Sequence, residues 1–508
     1  MFIGNMGHMI SFWSGFYPES EAVVYEGNRI SYRELNERIN KVCHVLTDKL
    51  GIVKGDRVGI LLNNCVEFYD IVFACSKIGA IFVPLNIRLA GRELEYIVNN
   101  SEPKVIITEQ FFNEMLEPVK EKLVTGRYLN INTDEYSELM NNSGIDEPEN
   151  QASWEDDFGI LYTSGTTGLP KGAVLTNNNV LTTCLLMNTA YGFTQEVKQL
   201  LPLPLCFTGA IITISMPTFH AGGSIILEKE FDPGLAIEII EKEKITHFYA
   251  VPTLLELISQ QPEYENSDFS SIKVIGIGAA PVYRSLIKKY ELKGISLANG
   301  YGLTEGSGYN MYMPGDKIKE NLGAYLPGMW NQIKIADDSG NPAKTGEVGE
   351  IIIKGSNVLR CYWNMPEATA ESIKDGWLYT GDMGRMDENG RIYIVDRKKD
   401  MIISGGLNVY PVEVENIISE HPAVEFVAVI GKPDNVWGEA VTAIVVAKPD
   451  IEVKEDELIK FCRENLADYK SPKSVIFIDE MPMTVSGKIL KPKLRELHGS
   501  GSSVVQSD

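Results

Sequence analysis

Apolar positions along this chain follow one rhythm up to about residue 330 and another beyond it. In the first part, unbroken apolar runs alternate with helically spaced ones. Val58-Gly59-Ile60-Leu61-Leu62 reads as a strand; Val66, Tyr69, Val72 and Phe73 have helical spacing; Ala80-Ile81-Phe82-Val83-Pro84 returns as a strand. Lys104-Val105-Ile106-Ile107-Thr108, Phe158-Gly159-Ile160-Leu161-Tyr162 and the stretches 272–277 and 295–298 read as further strands. Such alternation predicts parallel sheets covered by helices, an α/β fold. Beyond residue 330, Gln332-Ile333-Lys334-Ile335, Gly349 to Lys354 and Arg391 to Val395 are short alternating strands, which predict a small antiparallel unit. After the charged run Asp396-Arg397-Lys398-Lys399-Asp400, a compact α+β pattern follows: helix 411–419, strands 424–430 and 440–448, helix 455–466, strand 474–479. A second domain is expected to start near Asp400.

Composition narrows the class. A chain of 508 residues is too long for one core. A net charge of −22 disfavours nucleic acid or an anionic bilayer as the main partner. The seven cysteines form no C-x-x-C pair, so reduced thiols in a cytoplasmic protein are expected rather than a disulfide framework or metal cluster. No signal peptide and no membrane span are expected, and the Ser/Gly-rich tail reads as disordered.

The most informative segment is Tyr162-Thr163-Ser164-Gly165-Thr166-Thr167-Gly168-Leu169-Pro170-Lys171-Gly172. Gly165, Gly168 and Gly172 let backbone N–H groups approach an anion. Thr163, Ser164, Thr166 and Thr167 add hydroxyls, and Lys171 adds a compact cation. The spacing is not that of a Walker A loop. Thr176 reads as the N-cap of a helix carrying Val180, Leu181, Cys184, Leu185 and Met187. The loop is therefore expected between a strand and a helix, where α/β proteins bind nucleotides.

Three later segments offer more chemistry. Gly276-Ile277-Gly278-Ala279-Ala280-Pro281 lacks the third glycine of a dinucleotide fingerprint, but its small residues would let a flat ring approach. Asn299-Gly300-Tyr301-Gly302-Leu303-Thr304-Glu305 joins an amide, an aromatic face, a hydroxyl and a carboxylate, the parts for a purine, a phosphate and Mg²⁺. Taken alone it could equally be a turn. Asp382 and Arg397 suit ribose hydroxyls, while Ser486-Gly487-Lys488 taken alone is an ordinary Gly-Lys turn.

Together, with Ser31-Tyr32-Arg33-Glu34-Leu35-Asn36, Tyr362-Trp363-Asn364, Pro366-Glu367-Ala368-Thr369 and Ser404-Gly405-Gly406-Leu407-Asn408-Val409-Tyr410-Pro411, these segments resemble the adenylate-forming superfamily, of the acyl-CoA synthetase type. The resemblance implies a large N-terminal domain over 1–395, a hinge at 396–400, a small mobile α+β lid over 401–497 and a tail at 498–508. It implies that a carboxylate attacks the α-phosphate of ATP, releasing pyrophosphate, and that a thiol then displaces AMP. Thr163, Ser164, Gly165, Thr166, Thr167, Gly168 and Lys171 would hold the β- and γ-phosphates, and Glu305 with Thr167 the Mg²⁺. Thr304 would meet a phosphate oxygen. Asn299 and Tyr301 would face the adenine and Asp382 and Arg397 the ribose, with Gly278, Ala279, Ala280, Gly300 and Gly302 also in the ATP/AMP site. Lys488 would bridge carboxylate and α-phosphate in the first step. Rotation about Lys399 would bring Gly405 and Gly406 beside the incoming CoA pantetheine, and Lys470 and Lys473 could meet CoA phosphates.

Many relatives carry Phe-His where this chain has Cys206-Phe207, within Leu203-Pro204-Leu205-Cys206-Phe207-Thr208-Gly209-Ala210. A pocket wall of Cys206, Phe207, Thr208, Gly209 and Ile277 suits an apolar acid, since a charged one would need a countercharge. A hydrophobic, fatty-type acid is the leading expectation. An aryl acid of the coumarate or benzoate type, a separate acyl carrier protein as acceptor, and a non-catalytic nucleotide-binding regulator are the alternatives. Homodimerisation stays open.

Overall fold

A computed structural model describes residues 4–89, 91–149, 151–163, 169–279, 282, 284–318, 323–434, 436–449, 451–483 and 488–499. The expected parallel order is present. Arg57–Leu61 pairs in parallel with Ile81–Pro84 on one side and Val105–Thr108 on the other. Asp157–Thr163 joins beyond Ile81–Pro84, within a seven-stranded sheet. A second sheet sets His247–Ala250 between Lys198–Leu201 and Val274–Gly278, with Leu297–Tyr301 next, all parallel. This sheet does not end there. Met311–Met313 and Ala324–Pro327 continue it antiparallel into Ile392–Arg397, Trp377–Met386, Val348–Gly355 and Asn331–Ala336. The small antiparallel unit is thus an extension of the second sheet.

The helix Val66–Ile78 is buried over nearly its whole circumference, which places it inside the protein rather than on a face. One apolar cluster joins it to Val58 and Ile60 of the first sheet and to Leu201, Ile225 and Leu227 of the second. Two charges lie on it. Asp70 accepts from Arg38 at 2.6 Å, and Lys77, fully buried, donates to Asn36, Asn40 and Glu147. Burial raises the Asp70 carboxyl to about 7 against the pull of Arg38.

From Ile402 onward the strands form a separate five-stranded sheet, built on the long pair Val424–Asp434 and Gly438–Ala447. Helices Pro411–Ser419 and Glu455–Asn465 cover it, close to the positions the sequence pattern gives. Asp396, in the strand Ile392–Arg397 of the second sheet, accepts from the backbone N–H of Val412, and Arg495 pairs with Asp400 at 2.7 Å. These contacts tie the charged connection to the small domain.

Candidate active site

The phosphate-loop expectation needs one correction. The strand Asp157–Thr163 is followed by a second strand, Lys171–Thr176, antiparallel to it, with Thr163 opposite Lys171. The strand Asp157–Thr163 is therefore followed in the chain by an antiparallel strand partner rather than directly by a helix. The apolar run Gly172-Ala173-Val174-Leu175 has its own sheet partner in Cys361–Tyr362. The helix comes after it, at Asn177–Tyr191, where Thr176 and Asn179 form a reciprocal capping box. Ser164, Gly165, Thr166, Thr167 and Gly168 lie outside the described residues, as does Ala280.

Beside the paired Thr163 and Lys171, side chains converge on Glu305. Thr163 Oγ1 donates to its Oε1 at 3.3 Å and the Tyr362 hydroxyl at 2.9 Å. The Lys171 ammonium stands 5.2 Å from the centre of the Tyr362 ring. Thr304 shares a 2.8 Å hydrogen bond with Thr208. Sequence reading gave Tyr362 no role, although it quoted the residue in a motif; its position beside both Glu305 and Lys171 assigns one. A single carboxylate flanked by hydroxyls and a cation fits Mg²⁺, which takes most of its ligands from phosphates and water. Among the described residues no group of three or more His, Cys, Asp or Glu gathers to cage a metal.

The strand Leu297–Tyr301 carries Asn299, Gly300 and Tyr301, which the sequence reading expects beside the nucleotide. Asn299 donates to the Tyr325 hydroxyl at 2.8 Å, and its own carbonyl oxygen is buried with no partner among the described residues. A buried acceptor without a donor is costly, and an exocyclic adenine amine would satisfy it. Tyr325 carries no local signal; only sheet pairing brings it here. Ala279 sits at φ 68°, a left-handed conformation that a non-glycine residue pays for, beside Gly278. Gly278 and Gly302 serve close backbone approach: a Cβ would lie 2.9 Å from Gly300 O and 2.2 Å from Gly308 O respectively.

Asp382 is buried and accepts from the Tyr301 hydroxyl at 2.6 Å, with Arg397 Nε 3.4 Å away. Burial raises its carboxyl above the usual range, while Arg397, Tyr301 and Lys488 pull it down. Lys488 comes from the small domain, yet it feels the charges of Asp382 and Arg397; burial, then Arg397, hold its ammonium below the ordinary lysine range. Gly405 and Gly406, by contrast, form an exposed turn at φ 59° and 79°, with Gly405 beside Trp437. Lys399 is exposed. Lys470 is clamped by both oxygens of Glu413, and Lys473 lies over the Trp437 ring.

The residues expected at the acyl slot divide. Thr208 leads into the helix Gly209–Ser215, wound with the wider π-helical turn, whose Ala210, Ile211 and Ile214 are buried in the apolar cluster that also holds Tyr249 and Tyr309. Cys206 is buried, its thiol pushed up to about 12 by that burial, and Phe207 is half-buried. Ile277 does not line the slot. Its side chain packs with Ile275 and Leu297 in the cluster on the opposite face, because alternation along the strand turns it away from Gly276 and Gly278.

Comparison with known proteins follows this geometry. The AMP-binding enzyme family matches residues 13–363, and the AMP-binding enzyme C-terminal domain matches 413–488. The chain is 38% identical over 484 residues to a feruloyl-CoA synthase of an Amycolatopsis species, covering 95% of this chain and 96% of that protein. It is 36% identical over 501 residues to the long-chain-fatty-acid–CoA ligase FadD13 of Mycobacterium tuberculosis, covering 98% and 99%. The solved o-succinylbenzoate CoA synthetase of Bacillus subtilis, in complex with its acyl-adenylate intermediate, superposes with a TM-score of 0.86 at 30% identity, covering 97% and 98%.

Proposed function

Because this chain belongs to the AMP-binding enzyme family and is an ATP-dependent acyl-CoA ligase, we propose that Lys488, Asp382, Arg397, Glu305 and Lys171 carry its adenylate-forming half-reaction in the domain arrangement described above. The observation that carries this reading is the buried Asp382, which accepts from Tyr301 at 2.6 Å and lies 3.4 Å from Arg397, with the charge of Lys488 acting on both.

Adenylation brings a carboxylate against a polyphosphate, so the barrier is dominated by repulsion between anions and by alignment. Lys488 neutralises charge between the attacking carboxylate and the α-phosphate. Asp382, oriented by Tyr301, accepts the ribose hydroxyls, and Arg397 adds fixed donors. Lys171 and Thr163 face the leaving pyrophosphate. Mg²⁺, held by Glu305, would supply the remaining countercharge on the phosphates. In the second half-reaction the CoA thiol attacks the acyl carbonyl and AMP leaves. Lys488 must withdraw for the thiol to enter, and a turn about Lys399 brings Gly405 and Gly406 to the tunnel. Similarity to a feruloyl-CoA synthase and to a long-chain-fatty-acid–CoA ligase supports both an aryl and a long alkyl acid as candidates.

Acid-dependent exchange of labelled pyrophosphate into ATP, across a panel of alkyl and aryl acids with Mg²⁺, tests the first step, and mass spectrometry of the CoA product tests the second. Absence of exchange with every acid would overturn the assignment.

A further inference from the structure

Glu305, the carboxylate that fits Mg²⁺, is held at two points by the segment that follows the strand Val348–Gly355. The backbone N–H of Leu359 donates to the Glu305 carbonyl at 2.8 Å, and the Tyr362 hydroxyl donates to its Oε1 at 2.9 Å. Thr163 Oγ1 donates to the same oxygen at 3.3 Å. Two donors on Oε1 orient the carboxylate, and neither engages Oε2, the oxygen left to meet a cation.

Strand register explains why these groups meet. Cys361–Tyr362 adds to the edge of Lys171–Thr176, with Tyr362 opposite Ala173, and Thr163 stands opposite Lys171. Alternation puts Thr163, Lys171 and Tyr362 on one face of the sheet. Cys361 turns to the other face, against the cluster of Ile160 and Val174. Lys171 is the diagonal neighbour of Tyr362, within reach of an aromatic ring, and its ammonium stands 5.2 Å from the ring centre. The backbone around Tyr362 is pinned as well. Arg360 N–H donates to Val174 O at 2.9 Å, Trp363 N–H to Gly172 O at 2.7 Å, and Tyr362 N–H to Thr369 Oγ1 at 2.9 Å. Tyr362 is 7% exposed, so neither ring nor hydroxyl has room to leave this geometry.

One side chain thus meets two opposite charges at different places. Its ring face carries the cation that faces the leaving pyrophosphate, and its hydroxyl carries the anion that suits the metal. An ammonium and a carboxylate in direct contact would neutralise each other before any nucleotide arrived. With the ring beneath one and the hydroxyl on the other, Lys171 stays available to phosphate and Glu305 to a cation.

We propose that Tyr362 is a positioning residue for adenylation: its hydroxyl sets the Glu305 carboxylate for the Mg²⁺ that arrives with ATP, and its ring sets Lys171 for the phosphates. This inference rests on the ligase reading above.

The test compares the full chain as wild type, Tyr362→Phe and Tyr362→Leu. Mn²⁺ binding in the presence of α,β-methylene-ATP, read by electron paramagnetic resonance, probes the metal site directly. The Mg²⁺ concentration for half-maximal pyrophosphate exchange is measured beside it. Tyr362→Phe keeps the ring and loses the donor. It is expected to weaken Mn²⁺ binding by roughly 10- to 100-fold, the scale of losing a partner that orients a metal ligand, with the half-saturating Mg²⁺ raised to match. Metal-free α,β-methylene-ATP should bind Tyr362→Phe as it binds the wild type, and should bind Tyr362→Leu more weakly, because that variant also loses the ring beneath Lys171. Thioester formation from supplied acyl-adenylate needs no pyrophosphate, and should keep its wild-type rate in Tyr362→Phe.

Unchanged Mn²⁺ binding in Tyr362→Phe overturns the role at Glu305, and unchanged binding of the metal-free nucleotide in Tyr362→Leu overturns the role at Lys171. An equal loss in both half-reactions of Tyr362→Phe overturns the proposal as a whole, since a side chain that only supports the fold would give that result. Each of these outcomes leaves the ligase reading standing. That reading falls instead if the wild type exchanges pyrophosphate with no acid.

Discussion

The phenol of Tyr301 donates to Asp382 Oδ2 at 2.6 Å, joining the strand Leu297–Tyr301 to the strand Trp377–Met386 of the same sheet. The bond favours the ionised form of a carboxyl that burial disfavours. Tyr301→Phe removes that support. We expect KM for ATP to rise about tenfold, the worth of one hydrogen bond to a charged group. The acid limb of the pyrophosphate-exchange profile should also move to higher pH, because the Asp382 pKa rises further. An unmoved limb would mean that Tyr301 only fills space.

Lys488→Ala is expected to lower acid-dependent pyrophosphate exchange by roughly 100-fold or more, the scale of losing a preorganised charge at the reacting centre. Thioester formation from supplied acyl-adenylate should be largely retained. Equal loss in both assays argues against a role confined to the first step.

The lowered Lys488 pKa carries its own signature. The first half-reaction needs the ammonium, so exchange should decline on the alkaline side before an ordinary lysine loses its proton. Thioester formation from supplied adenylate should lack that limb, and stopped-flow profiles of the two half-reactions decide it.

Lys399→Pro fixes φ at the connection. Pyrophosphate exchange is expected to persist while CoA-thioester formation slows. If neither half-reaction changes, the turn occurs elsewhere in the chain.

Arg38→Ala tests the central helix. Asp70 is fully buried beside Arg38, and the variant strands it, at a cost of about 3 kcal/mol. The sign follows from the direction of the shift. A carboxyl raised to about 7 in the fold contributes most below its unfolded value near 3.8 and loses that contribution as pH rises towards 7. Without Arg38 the loss extends above 7. The gap in urea midpoint between variant and wild type should therefore be larger at pH 8 than at pH 6.

Local spacing is what the sequence determined by itself. The N-cap at Thr176, the helix at 411–419, the strands read at 58–62 and 80–84 and the ordered motifs from Thr163 to Lys488 were all legible, because caps, periodicity and short motifs depend on neighbours in the chain. The tertiary structure alone decided what pairs with what. The run 171–176 is a strand because Asp157–Thr163 and Cys361–Tyr362 supply its hydrogen bonds. Ile277 turns from the slot because a strand alternates faces and only packing says which face is inside. Tyr191, Tyr249 and Tyr309 are far apart in the chain, and their hydroxyls meet only where two glycines let the rings lie on the sheet. The charge of Lys488 acts on Asp382 because the tertiary fold brings distant segments near each other, which no pattern of adjacent residues encodes.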